Sequence, residues 1–319
     1  MASQPKQMPF IKNLASSGQQ PTLPYPHLYL APGSATQANF QPVIDRKIRT
    51  AALESLRTFL SAKHISSSLS TLDILKLWKG LFYALWMCDR PLPQQALCSD
   101  LADLIWILPG PAVIPWLRGF WATMAREWTT GIDVLRMEKF LLLVRRMLGA
   151  SLVWTQVREV KKAKNTKKRT ADGETSSASL RFERERVEQV LTLLANWPFR
   201  TDEERREEEE TDELMPKNVP VGLKLHALDI WVDEAEKAGM VVAGESQDES
   251  EKTEDDTLSG GDVLERLNKL VDSLRSTTLS KAVRIRSKES LADERLPWNQ
   301  KEASEDGADG DDAEWGGLD

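Results

Sequence analysis

The residues of this 319-residue chain that could do catalytic chemistry are few and scattered. Its three histidines, His27, His64 and His226, lie far apart in sequence. Cys88 and Cys98 have neither Cys-x-x-Cys spacing nor a neighbouring histidine, the usual makings of a zinc site. No Gly-x-Ser-x-Gly elbow presents a serine nucleophile, and no GxxxxGK[ST] loop offers backbone amides to a phosphate chain. The carboxylates fall in runs, which read as solvated charge rather than as a hydrolytic metal site. These patterns predict a protein that is not an enzyme, with no metal and no cofactor.

Cations offer different chemistry. Between positions 132 and 148 a helical period puts Arg136, Lys139 and Arg146 on one face, with Arg145 adjacent. Guanidinium forks match phosphate oxygens, so these side chains are candidate RNA contacts; a solvated outer face is the alternative. Lys161, Lys162, Lys164, Lys167, Lys168 and Arg169 form a denser cluster. It reads as a nuclear import signal, an RNA-contacting strand, or both, against the alternative of a solubilising linker. Near the other end, LSKAVRIRSKESLADERLPW joins basic residues, including Arg284 and Arg286, to an apolar end at Leu296, Pro297 and Trp298. In acidic, low-complexity surroundings such a segment is expected to be disordered alone and to fold against a partner, with Arg284, Arg286, Leu296 and Trp298 in contact.

The elements that must position these groups follow from apolar period. Ile48, Ala52, Leu56, Phe59 and Leu60 recur at helical spacing, as do Leu75, Trp78, Phe82, Leu85 and Trp86. Further helical patterns cover about 93–108, 112–129, 132–160, 180–196, 220–238 and 262–276, and no run of strand length alternates with period two. Pro111 and Pro115 are read as first-turn prolines of the helix they open. Trp78, Phe82, Trp86, Trp106, Trp116, Trp121 and Trp128 either stack on single-stranded bases or form core, and their helical spacing among Leu and Ile favours core.

The predicted fold is all-α: stacked antiparallel helix pairs forming a HEAT-like helical solenoid, with disordered acidic insertions and tails. Residues 1–42, punctuated by Pro21, Pro24, Pro26 and Pro32, form an extended or disordered arm. The helical domain spans 43–240, interrupted by mobile linkers at 161–179 and 202–215. Residues 241–319 are expected to be a largely disordered acidic tail with binding segments near 262–276 and 281–298.

Composition adds three limits. Residues 1–170 carry a net charge of +13 and residues 171–319 one of −20, so any polyanion is expected on the first half. The apolar run from Leu104 to Leu117 is interrupted by prolines and shorter than the roughly 20 residues a membrane helix needs, which predicts a soluble chain without a membrane partner. Two unpaired-looking cysteines and no secretory leader fit a reducing intracellular compartment.

Four blocks carry a family resemblance. LKLWKGLFYALWMCDRPLPQQALCSDLADLI, the preceding DRKIRTAALESLRTFLS, the later RMEKFLLLVRRML and the NVPVGLKLHALDIWVDEAEKAG block together resemble the ribosomal RNA processing protein 1 family, the nucleolar 52-kilodalton proteins. The resemblance spans about 43–240, and the acidic tail looks like that of a fungal-type member, without the long basic extension of animal ones. It implies a nucleolar factor with a HEAT-like body and no catalytic residues, required for internal-spacer processing in precursors of the large ribosomal subunit. Pre-ribosomal RNA, other large-subunit assembly factors and ribosomal proteins are the implied partners. The acidic runs leave an alternative, an adaptor or chaperone for basic nuclear clients.

Overall fold

In the computed structural model, residues 41–62, 69–157, 180–201, 214–241 and 256–300 are described. The cluster Lys161–Arg169, the arm 1–42 except its last two residues, the whole insertion 161–179 and most of 202–215 lie outside them. The chain divides into two compact units, residues 1–154 with 205–223, and residues 155–204 with 224–319.

The first unit contains α1 (Gln41–Ser61), α2 (Thr71–Trp86), α3 (Pro91–Ala102), α4 (Gly110–Glu127) and α5 (Met137–Trp154). Three of the starts have a local cause. Ser70 caps α2 by accepting from the Asp73 amide at 3.2 Å, and Pro91 opens α3, where a missing N–H costs nothing. Pro111 does the same for α4, but Pro115 lies a turn deeper than the sequence reading places it and removes one backbone hydrogen bond.

Alternate helices pack, α2 on α4 and α3 on α5. The α2–α4 seam is aromatic: Trp78 lies 4.9 Å from Trp116 and 5.1 Å from Phe120 between ring centroids. The Trp78 indole N–H donates to the Trp116 carbonyl at 2.9 Å, so the ring is buried without leaving its polar atom unmatched. A Cβ added at Gly119 would come 2.4 Å from Ile74 Cγ2 and 3.1 Å from the Trp78 ring, so only glycine permits this approach. Ile74 meets Gly119 and Lys79 reaches Glu127, a register that advances in one direction along both helices; α2 and α4 therefore run parallel. Phe82 stacks on Phe140 at 4.6 Å and joins α5 to the same core. Trp78, Phe82, Trp116, Trp121 and Trp128 are buried and form core, whereas Trp86 and Trp106 are half-buried. The helical expectation holds here and fits stacked helix pairs.

The second unit is where the structure departs from the sequence reading. Strand β1 (Arg181–Glu183) pairs antiparallel with β2 (Thr257–Ser259), Phe182 opposite Leu258, and both side chains are buried. Two three-residue strands are too short to show a period. Behind them come α6 (Arg184–Asn196), α7 (Val221–Lys237), α8 (Gly260–Thr277) and α9 (Lys281–Leu291). α7 ends in a Schellman motif, with the Met240 amide donating to Ala235 and the Gly239 amide to Glu236. Gly239 supplies the positive φ of 68°.

The expected boundary at 240 is therefore not where folding stops. Ser259 and Asp262 form a reciprocal capping box, and α8 buries Val263, Leu264, Leu267, Val271 and Leu274. It packs on α6 and α9. Residues 257–300 are thus folded as part of this unit, not a disordered tail; five apolar side chains on one helical face outweigh the acidic composition around them.

Candidate nucleic-acid interface

Of the cations expected on one RNA-facing stripe, the structure buries the central one. Lys139 is only 4% exposed. Its ammonium donates to the carbonyls of Trp86 at 2.7 Å and Cys88 at 2.9 Å and lies 3.6 Å from Asp89. Burial holds its pKa below the ordinary lysine value, opposed by the Asp89 charge. Lys139 is thus a structural tie between α5 and the end of α2, and its assignment as an RNA contact is corrected. A helical period cannot tell a solvated cation from one whose ammonium finds unpaired carbonyls at a helix end.

Arg136 is also engaged within the chain. Its guanidinium sits 3.9 Å over the Trp86 ring and pairs with Asp133 and, at 4.0 Å, with Asp89. Arg145 is half-buried and Arg146 exposed. The four residues therefore do not form one solvent-facing stripe, and Arg146 is the one that points freely outward. Beneath them, Cys98 donates its thiol to the Lys139 carbonyl at 3.4 Å. Burial, reinforced by Cys88, pushes the Cys98 pKa up to about 12, so it is an inert thiol rather than a nucleophile.

Sequence reasoning missed other exposed cations of this unit. α2 is buried almost all round, and its narrow exposed line is Leu72, Lys76, Lys79 and Tyr83; α4 exposes Pro111, Pro115, Arg118 and Arg126. Lys79 is 4.0 Å from Glu127, whereas Lys76 and Arg118 have no ion-pair partner among the described residues. The position of Lys76 and Lys79 off the apolar stripe was the signal that could have found them.

In the second unit the expected partner-binding residues are largely occupied by the chain itself. Leu296 is completely buried, and Trp298 is half-buried. Arg286 pairs with Asp229 at 3.1 Å and Glu289 at 3.2 Å. Arg284 donates to the Thr278 carbonyl at 2.8 Å but remains exposed. Arg295 fastens the segment to α7 by pairing with Asp233 at 2.9 Å and Glu236 at 2.8 Å. The apolar end at 296–298 therefore meets its own unit, a correction of the expectation that Leu296 awaits a partner groove. Sequence reasoning missed this because the acceptors lie on α7, some 60 positions away.

Among the described residues no group of three or more His, Cys, Asp or Glu side chains could hold a metal ion, and no helix is long and apolar enough to cross a membrane.

Comparison with known proteins adds what geometry does not. A family described as "Nucleolar protein, Nop52" matches residues 43–315, reaching across both units and past the boundary at 240. The chain is 31% identical over 194 residues to ribosomal RNA processing protein 1 homolog A of Mus musculus, a match covering 60% of this chain and 32% of that protein. Homolog B of Homo sapiens is 31% identical over 199 residues, 61% of this chain and 21% of that one. The Drosophila melanogaster homolog is 41% identical over 78 residues, 24% and 11% respectively. The match thus spans a third or less of the length of these relatives.

Proposed function

Because the chain belongs to the Nop52 family of nucleolar proteins, we propose that it is a non-enzymatic assembly factor for the large ribosomal subunit, scaffolding pre-ribosomal RNA and proteins during internal-spacer processing. The observation that carries this reading is the family match over 43–315, joined to relatives named for ribosomal RNA processing. The architecture suits the role. A helical body with a close-packed tryptophan core holds its exposed cations in fixed places, and Lys76, Lys79, Arg118 and Arg146 are among the side chains of the first unit that phosphates can reach. The basic cluster from Lys161 to Arg169 supplies nuclear import or a further RNA contact. Other large-subunit assembly factors and ribosomal proteins are the protein partners of this reading.

Depletion of the protein in cells tests it. The expected result is accumulation of pre-ribosomal RNA that retains the internal spacer and loss of large-subunit precursors, both restored by re-expression. Normal spacer processing after complete depletion would overturn the proposal.

The net charge of −20 over residues 171–319 favours a second reading, an acidic adaptor or chaperone for basic nuclear clients. Deleting 202–213 separates the two. Loss of ribosomal-protein or histone binding with spacer processing intact supports the chaperone; unchanged client binding supports the scaffold.

A further inference from the structure

Helix α9 stands apart from the acidic half of the chain that contains it. Residues 171–319 carry a net charge of −20, yet α9 holds Lys281, Arg284, Arg286 and Lys288 against a single acid, Glu289. Burial of Val283 and Ser287 fixes how the helix lies on its unit, and α8 is the helix it packs against. With Ser280 as its N-cap, α9 is set in one orientation.

That orientation sorts its charges into two groups. Arg286 turns toward Asp229 and Glu289 and is neutralised there. Lys281, Arg284 and Lys288 fall at i, i+3 and i+7 on the opposite, solvent-facing side, with Ile285 between them. All three are exposed, and among the described residues none has a carboxylate partner. Three cations within about 10 Å of helix axis form a short line of uncompensated positive charge. The acidic residues around it repel polyanions, so this line is a place on the unit where a phosphate backbone could approach.

We propose that the Lys281–Arg284–Lys288 face of α9 is a phosphate-contacting surface for structured RNA. The proposal rests on the RNA-scaffolding reading above and assigns the second unit its own contact, separate from the cations of the first. Charge complementarity selects the partner, and the Arg284 guanidinium, already oriented by the Thr278 carbonyl, presents its remaining N–H groups outward. Backbone contacts of this kind fix register without reading sequence, which suits a scaffold.

The test uses the full chain and a mixed-sequence RNA hairpin, with affinity measured across a range of salt concentrations. The side chains of Lys281 and Lys288 make no hydrogen bond or ion pair among the described residues, so Lys281→Gln with Lys288→Gln should leave folding intact. This double variant should weaken binding several-fold and lower the salt slope by roughly 1 for each phosphate it no longer neutralises. Lys281→Arg with Lys288→Arg should bind like the natural chain. Lys269→Gln on α8, whose lysine is paired with Glu265 at 2.7 Å, should change nothing. An unchanged affinity and slope in the double Gln variant overturns the proposal, as does a natural chain that binds no hairpin. So does a double variant that loses binding to poly-glutamate while keeping RNA, since that marks an acidic protein as the occupant. Depletion and spacer processing are scored separately, so failure here leaves the scaffold reading standing and failure there does not depend on α9.

Discussion

The Lys139 ammonium donates to the Trp86 carbonyl at 2.7 Å, tying α5 to the last residue of α2. A cation at a helix C-terminus meets the negative end of the helix dipole and satisfies a carbonyl that has no intrahelical partner. The same ammonium reaches Cys88 at 2.9 Å, so one side chain closes the connection between α2 and α3.

Replacing this lysine should therefore cost stability rather than RNA affinity. Lys139→Met removes a charged donor from two carbonyls and should lower unfolding free energy by about 1.5–3 kcal/mol. Arg146→Gln, at an exposed position, should stay within about 0.5 kcal/mol. Urea unfolding of both variants checks the contrast; equal stabilities would return Lys139 to the surface.

The seam between α2 and α4 makes a second prediction. A Cβ at position 119 would sit 2.4 Å from Ile74 Cγ2, a branched atom that cannot swing away. Gly119→Ala should destabilise by about 1–3 kcal/mol through overpacking, despite the higher helix propensity of alanine. Pairing it with Ile74→Val, which shortens the opposing side chain on its other branch only, should not restore the loss. Thermal unfolding measures both.

A third prediction concerns residues 257–300. Truncation after residue 255 removes β2 and α8, taking with them the partners of Phe182 and a helix with five apolar side chains buried on one face. The second unit should then fail to fold or aggregate, since each such side chain is worth about 1.5–3 kcal/mol. In the full chain, limited proteolysis should spare 257–300. Cleavage throughout that segment, with a truncated chain as stable as the natural one, would mark it as a tail.

Stability of this unit should also fall in acid through a named pair. Hydrogen bonds from Arg295 hold the Asp293 carboxyl below its ordinary value near 3.8. A depressed folded-state pKa contributes stability that is complete above the ordinary value and is lost as pH falls through the lowered one. Asp293→Asn should therefore be destabilising at neutral pH, with the gap to the natural chain narrowing as pH drops below about 4. A gap that stays constant across that range would remove the linkage.

Much of the helical body was legible because its apolar residues repeat at helical spacing over long runs. Trp78, Phe82 and Trp116 announced themselves as core in this way. Three things were not legible. The β1–β2 pairing is three residues long and joins positions nearly 80 apart, beyond any local pattern. The period of Val263, Leu264, Leu267, Val271 and Leu274 gave the helix of α8, but acidic flanks hid its packing into the unit, and α9 with it. The roles of Lys139 and Leu296 depended on carbonyls and surfaces contributed by distant segments, which composition and spacing do not reveal. The proposed RNA contacts are therefore exposed cations such as Lys76, Lys79, Arg118 and Arg146, with those of α9, rather than a single stripe around Arg136, Lys139, Arg145 and Arg146.

Ultraviolet crosslinking of the protein to RNA in purified large-subunit precursors, with peptide-level mapping of the crosslinked sites, is the decisive measurement of whether it holds pre-ribosomal RNA. The protein should sediment with these precursors and crosslink to pre-ribosomal RNA at peptides bearing Lys76, Lys79, Arg118, Arg146 or α9, and not at buried Lys139. A protein absent from the precursors, or present in them without any RNA crosslink, would contradict the scaffold reading.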